Sequence, residues 1–161
     1  MKVFIEKASG LNQVKSAGAN KVMRDYPYPY GYIIDTVSGD GEPLDCYIIT
    51  GRSLGAGTIV QAEPVGLVEY VEDGKEDHKV LAKLANETPT VDSTVKNKIV
   101  EFDKHFFDHR PEKVSRRGNF YGKDKAEEYI KQCTSTPSPG LRPPSPPPSL
   151  KLRRAGTRGE G

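Results

Sequence analysis

Three carboxylates fall within six residues in Asp40-Gly41-Glu42-Pro43-Leu44-Asp45, and the chain then runs straight into the apolar stretch Cys46-Tyr47-Ile48-Ile49. In extended backbone, Asp40 and Glu42 project to the same side, about 6–7 Å apart along the chain. Pro43 restricts the geometry at Glu42, and Asp45 can turn back towards the same point. Anionic groups that converge without a nearby cation repel and raise one another's pKa. Metal ions relieve that repulsion, and an all-oxygen donor set favours Mg²⁺ or Mn²⁺ over zinc. Taken alone, the segment reads more readily as a surface hairpin, because Gly-Asp-Gly is common turn chemistry. The order of its acids does not fit an EF-hand loop.

A second acidic group shifts that balance. Glu72-Asp73-Gly74-Lys75-Glu76-Asp77-His78-Lys79 sits in a turn between two expected strands. Asp77 and Lys79, two residues apart, place an anionic ligand and a cation on one side of the chain, a combination suited to metals and phosphate oxygens together. A third element is Tyr26-Pro27-Tyr28-Pro29-Tyr30-Gly31-Tyr32, where alternating Pro stiffens an extended backbone and fixes where the phenols point. Its plain alternative is a packed aromatic face. Glu6 and Lys15, nine apart, carry no signal by themselves.

The elements that must position these groups are short. Val3 to Glu6, Gly31 to Thr36, Asp45 to Thr50, Thr58 to Ala62, Val65 to Val71 and Lys79 to Leu84 read as strands, separated by Gly, Asp, Glu and Pro clusters. Val95, Ile99, Phe102 and Phe106 form one helical stripe that Asp92 or Ser93 can cap. A second helix is expected over Asp124 to Lys131, burying Ala126, Tyr129 and Ile130. Strands followed by helices point to a mainly β (α+β) domain, a small antiparallel barrel with two flanking helices.

Composition sets the outer bounds. The chain has 161 residues and a formal net charge of +2, but the segment from Cys133 onward carries five basic residues against one acidic. Residues 1–132 are therefore net acidic, which argues against an OB-like nucleic-acid-binding module. Pro137 to Pro148 holds seven of the 13 prolines, so a domain over 1–132 and a disordered Pro/Ser/Arg-rich tail over 133–161 are expected. No apolar run is long enough to span a bilayer or to serve as a secretory signal. With two separate cysteines and no disulfide framework, the cytoplasm is the expected compartment.

Together the motifs resemble family I soluble inorganic pyrophosphatases. The family pattern Asp-x-Asp-Pro-x-Asp is similar to Asp40-Gly41-Glu42-Pro43-Leu44-Asp45. Tyr-Pro-x-x-Tyr-Gly-Tyr/Phe-Ile corresponds to Tyr26 to Ile33, and Gly-Glu-Asp-x-Lys to Lys75-Glu76-Asp77-His78-Lys79 with its glycine one place early, at Gly74. Glu6 and Lys15 match a Glu and a Lys that the family spaces nine apart, and His105-Phe106-Phe107-Asp108-His109 echoes a helix end. The resemblance covers roughly residues 2–130 in order. It implies a five-stranded OB-like barrel, Mg²⁺-dependent hydrolysis of inorganic pyrophosphate by a metal-activated water attacking in line, and a cytoplasmic homo-oligomer, a hexamer in bacterial members.

The resemblance also implies roles. Asp40, Asp45 and Asp77 stand as ligands of the catalytic metals, and Glu72 or Asp73 as a ligand of a further site. Lys15, Tyr30 and Lys79 stand as phosphate contacts, with Glu6 at the outer edge. Glu42 occupies the place of the Asp that assists the attacking water, one methylene longer. The stretch between Lys15 and Tyr26 is about ten residues short, which removes the strand that normally presents a phosphate-binding Arg and leaves Arg24 as the substitute. Arg110-Pro111 replaces a Tyr-Lys pair, which leaves Arg110, Lys113, Arg116 or Arg117 as the candidates for that charge. These departures leave room for a non-catalytic relative, or for one retuned to another small phosphoanhydride. The i, i+4 spacing of His105 and His109 reads as structural rather than as a zinc site.

Overall fold

The computed structural model describes residues 1–14, 22–106 and 115–134. Lys15, His109, Arg110, Lys113 and the Pro-rich tail lie outside the described residues.

The chain opens with β1 (Lys2–Lys7) and a separate two-stranded hairpin, β2 (Gly10–Val14) and β3 (Val22–Tyr26). β4 (Tyr30–Ile33) and β5 (Asp45–Ile48) flank the first acidic segment, and β6 (Ile59–Glu72) turns into β7 (Lys75–Glu76) and β8 (Lys79–Leu84). Helix α1 (Ser93–Phe106), β9 (Ser115–Gly122) and helix α2 (Lys123–Cys133) complete the described elements. β1 pairs with β4, β4 with β5, β5 with β8, β8 with β6, and the start of β6 returns to β1. Those pairings close a ring of five strands, as an OB-like architecture requires.

Side chains on alternate residues divide between two apolar clusters. Val3, Ile5, Ile33, Cys46, Ile48, Val80 and Ala82 point into the ring, where α2 closes the cluster with Ala126 and Tyr129. Tyr47 and Leu81 point outward and pack with Val95 and Ile99 of α1. β5 is buried on both faces, which suits a strand with a parallel neighbour. Each fully buried Val, Ile or Leu stabilises the fold by roughly 1.5–3 kcal/mol. Ile130 is half-buried and packs at the margin of the inner cluster.

Local chemistry explains the joints. The Val95 N–H donates to Asp92 Oδ1 at 3.1 Å, so Asp92 caps α1. Gly31 lies where β4 crosses β1 so closely that an added Cβ would fall 1.8 Å from the Phe4 carbonyl oxygen. The expected strands Thr58–Ala62 and Val65–Val71 are one strand, β6, with a register shift between Pro64 and Gly66. Pro64 brings no N–H to the ladder, and the shift absorbs that break without ending the strand. A second correction concerns the shortened stretch before Tyr26. A strand is present there, β3, and Arg24 lies on it. β9 is a further strand, one that the residues Ser115 to Gly122 do not signal by their own composition.

Candidate active site

Asp45 and Lys79 are register partners on the parallel strands β5 and β8. Tyr47 and Leu81, two residues further along each strand, pack against α1. Alternation therefore brings Asp45 and Lys79 to that same outer face. Asp77 reaches it from just before β8, where its N–H donates to the Tyr70 carbonyl at 3.0 Å. The Lys79 ammonium donates to Tyr30 Oη at 3.0 Å, to Asp45 Oδ2 at 3.1 Å and to Asp77 Oδ2 at 3.3 Å. Asp45 is 1% exposed and Asp77 4%. Two buried carboxylates thus share one half-buried cation, an arrangement in which each charge offsets the desolvation of the others.

Aromatic rings enclose the ammonium. Nζ of Lys79 lies 5.5 Å from the Tyr30 centroid and 5.1 Å from that of Tyr70, within cation–π range. Tyr30 stacks edge-on with Tyr47 at 5.0 Å and tilts against Tyr26 at 5.6 Å. Tyr26 in turn meets Phe102 of α1 at 4.6 Å. The Tyr-Pro segment is therefore both a packed aromatic face and a wall of the site. Burial first, and then the Asp103 carboxylate, pushes the Tyr47 hydroxyl far above the usual phenol range. Burial likewise pushes Tyr70 up, together with the nearby Tyr47 and Asp103.

His78, between Asp77 and Lys79, points to the other side. Its Nδ1 accepts from the Tyr70 N–H at 3.0 Å, so Nε2 carries the proton that Glu76 Oε2 accepts at 2.9 Å. This pairing orders the short connection into β8 and so holds Asp77 and Lys79 on the site face.

The other expected site residues are placed around this cluster. Asp40 closes its own turn, accepting from the Ser38 hydroxyl and from the Glu42 N–H at 2.9 Å. Gly41 there has φ +83°, so Gly39-Asp40-Gly41 forms a turn. Glu42 is half-buried in the same loop, with Oε1 shielded from solvent. Glu72 ends β6 at the hairpin tip, opposite Lys75. Arg24 is half-buried on the same face of β3 as Tyr26, its Nη1 donating to the Met23 carbonyl at 2.9 Å. Glu6 sits at the β1 bulge, close enough to Tyr32 to help raise its pKa after burial, and Tyr32 is the register partner of Asp45.

Among the described residues, no three of His, Cys, Asp and Glu come close enough together to hold an ion. The structure brings Asp45 and Asp77 within reach of one point, no further apart than the sum of their distances to Lys79, and holds Asp40 in its turn. Buried carboxylate oxygens of this kind suit a hard divalent cation in charge and donor type. Tyr47, Tyr70, Asp103 and Arg117 also border the cluster, and the sequence reading missed the first three as site residues. One signal was available, since Asp103 stands four residues after Ile99, a charged group beside the apolar stripe of α1.

The chain matches the family model for inorganic pyrophosphatase over residues 1–137. The inorganic pyrophosphatase of Nanoarchaeum equitans is 32% identical over 148 residues, covering 81% of this chain and 92% of that protein. That of Saccharolobus solfataricus is 31% identical over 118 residues, covering 67% of this chain and 69% of the relative. Among solved structures, an inorganic pyrophosphatase from Coxiella burnetii aligns with a TM-score of 0.70 at 21% identity, over 83% of this chain and 92% of that one. A type I inorganic pyrophosphatase from Toxoplasma gondii aligns with a TM-score of 0.72 at 16% identity, over 83% and 77%. At such identities the structural likeness speaks for the fold, and it agrees with the five-stranded ring. A family model that spans most of the chain, over the same β-strands that carry the Asp45, Asp77 and Lys79 cluster, places this chain in the inorganic pyrophosphatase family.

Proposed function

We propose that this chain hydrolyses inorganic diphosphate to two phosphates at the cluster of Asp45, Asp77, Lys79 and Tyr30, with Mg²⁺ as cofactor. The observation that carries the reading is the convergence of two buried carboxylates and a tyrosine hydroxyl on one lysine at adjoining strand ends. Asp45 and Asp77 are the pair within reach of one ion, and Asp40 and Glu72 are the further metal ligands that the family resemblance implies. When bound, divalent ions neutralise substrate charge and acidify the attacking water.

The chain's own residues supply the rest. Lys79 and Tyr30 donate to phosphate oxygens, and their fixed positions lower the cost of organising donors around developing charge. Glu42, with one carboxylate oxygen shielded in the loop, is the proton acceptor for the attacking water. Arg24 and Lys15 add positive charge towards the leaving phosphate, and Glu6 marks the outer edge. The aromatic wall of Tyr26, Tyr30 and Tyr47 limits water around the reacting group. Operation in the cytoplasm and assembly into a homohexamer belong to the same reading. No helix of the described residues is long and apolar enough to cross a membrane.

Asp45→Asn tests the assignment. Phosphate release from pyrophosphate, read by malachite green with Mg²⁺ and with EDTA, should fall by roughly 10²–10³-fold or more, the usual cost of removing a charge-organising group. Circular dichroism should stay unchanged. Mg²⁺-dependent activity retained in the purified variant would sink the reading.

A further inference from the structure

Behind Lys79 lies a polar connection that the proposed reaction does not use. Tyr70, on β6, is 4% exposed, and its ring lies 5.1 Å from the Lys79 ammonium. The Tyr70 hydroxyl donates to Asp103 Oδ2 of α1 at 2.6 Å. Arg117 of β9 donates to the same oxygen at 3.5 Å. Tyr70 and Arg117 are register partners across β6 and β9, so one carboxylate from the helix joins two neighbouring strands. Burial raises the Asp103 pKa, opposed by the Tyr70 hydrogen bond, by the Lys79 charge and by Arg117. The geometric link from Asp103 to Lys79 runs through the Tyr70 ring.

We infer that Tyr70, oriented by Asp103 and Arg117, is a positioning residue that holds the Lys79 ammonium where it meets a substrate phosphate. A lysine has a flexible four-carbon stem and three rotatable donors, and its own carboxylate partners do not fix its direction alone. The Tyr70 ring supplies a face that attracts the cation from the side opposite the substrate. A phenol that donates to a carboxylate has a more electron-rich ring, so Asp103 strengthens that attraction while fixing the ring plane. Arg117 balances the Asp103 charge, and through this pair α1 and β9 set the geometry of a residue on β8. The inference rests on the reading of Lys79 as a phosphate contact.

The experiment is a mutant cycle in the full chain at saturating Mg²⁺. Tyr70→Phe removes one oxygen, and Asp103→Asn keeps the helix side chain's shape. Each should raise KM for pyrophosphate about three- to tenfold, the range expected for a weakened desolvated cation–π contact, with kcat within about twofold. In a Lys79→Met background the Tyr70→Phe effect should vanish, because residues that act through one another are not additive. Unchanged KM in both single variants would overturn the inference. So would the same fold-change with Lys79 already removed, since that marks a general structural effect. Lys79→Met with unchanged KM would instead sink the reading of Lys79 itself. The Lys79 ε-methylene proton shift in Tyr70→Leu, which removes the ring that lies 5.1 Å from Nζ, gives a readout independent of turnover. Loss of its ring-current displacement supports the coupling, and an unchanged shift overturns it.

Discussion

Lys79→Met removes the cation shared by two carboxylates and keeps most of the side chain's apolar stem. The Asp45 and Asp77 side chains are 1% and 6% exposed, and that of Lys79 13%. Deleting one partner from a buried ion pair costs roughly 3–5 kcal/mol, because a charge is left in a poorly solvated place. Asp45 and Asp77 each hold further contacts, so the lower end, about 3 kcal/mol, is the expected loss. For a chain of this size, each kcal/mol moves the melting temperature by roughly 2–4 °C, giving a drop of about 10 °C. The measurement is thermal unfolding by scanning fluorimetry in EDTA. Mg²⁺ should then restore the variant more than it stabilises the parent, because a ligand held by the folded state alone adds about 2.7 kcal/mol at a hundred times its Kd. A variant that melts within about 2 °C of the parent in EDTA, or that gains no more from Mg²⁺ than the parent does, refutes the view that Lys79 balances a cation-binding pair.

Other features give independent tests. Gly31→Ala would place a Cβ against the Phe4 carbonyl, and the strand crossing has no side chain to move aside. Urea denaturation should show a loss of roughly 3 kcal/mol or more. Cys46 is fully buried, and burial pushes its thiol far above the usual range. Cys133 is half-buried and raised less, so DTNB should titrate one thiol in the native protein and two after unfolding. Two fast-reacting thiols in the folded chain would contradict the core assignment. Asp103 has its folded pKa raised above 3.8, chiefly by burial. Its contribution to stability is present below that ordinary value and is lost as pH rises through the folded value. The urea midpoint of the parent, relative to Asp103→Asn, should therefore fall as pH increases across that window. A difference that does not change with pH would count against the burial of this carboxylate.

The strands that carry the site were legible because their chemistry is local. β5 and β8 are apolar runs entered from an acidic turn, and Asp77 with Lys79 declared a shared side by their spacing alone. The α1 stripe gave the helix, and Asp92 its cap. The hairpin of β2 and β3 was hidden because its alternation turns apolar residues outward, with Leu11 71% and Met23 49% exposed. β9 was hidden for a different reason. Ser115-Arg116-Arg117-Gly118-Asn119 has little strand propensity, and it is extended because β6 offers a ladder to pair with. In the acidic loop the turn chemistry is present, since Asp40 closes a turn, while Asp45, five residues on, enters the cluster around Lys79. No pattern within one segment could show that Lys79 would lie over Tyr70, because that contact depends on the antiparallel register of β6 and β8.

The parallel pairing of β5 with β8 also governs when a newly made chain can work. Asp45 and Lys79 are 34 residues apart in sequence, and the long β6 strand must reverse direction before they can meet. Closing such a loop costs entropy that is recovered only once the distant strands dock, so this pair belongs to the slow, non-local part of folding. Hairpins such as β6–β7 and the two helices can form on shorter timescales. A refolding chain should therefore regain its far-ultraviolet dichroism ahead of its ability to release phosphate, and turnover would serve as a clock for the last strand to find its place.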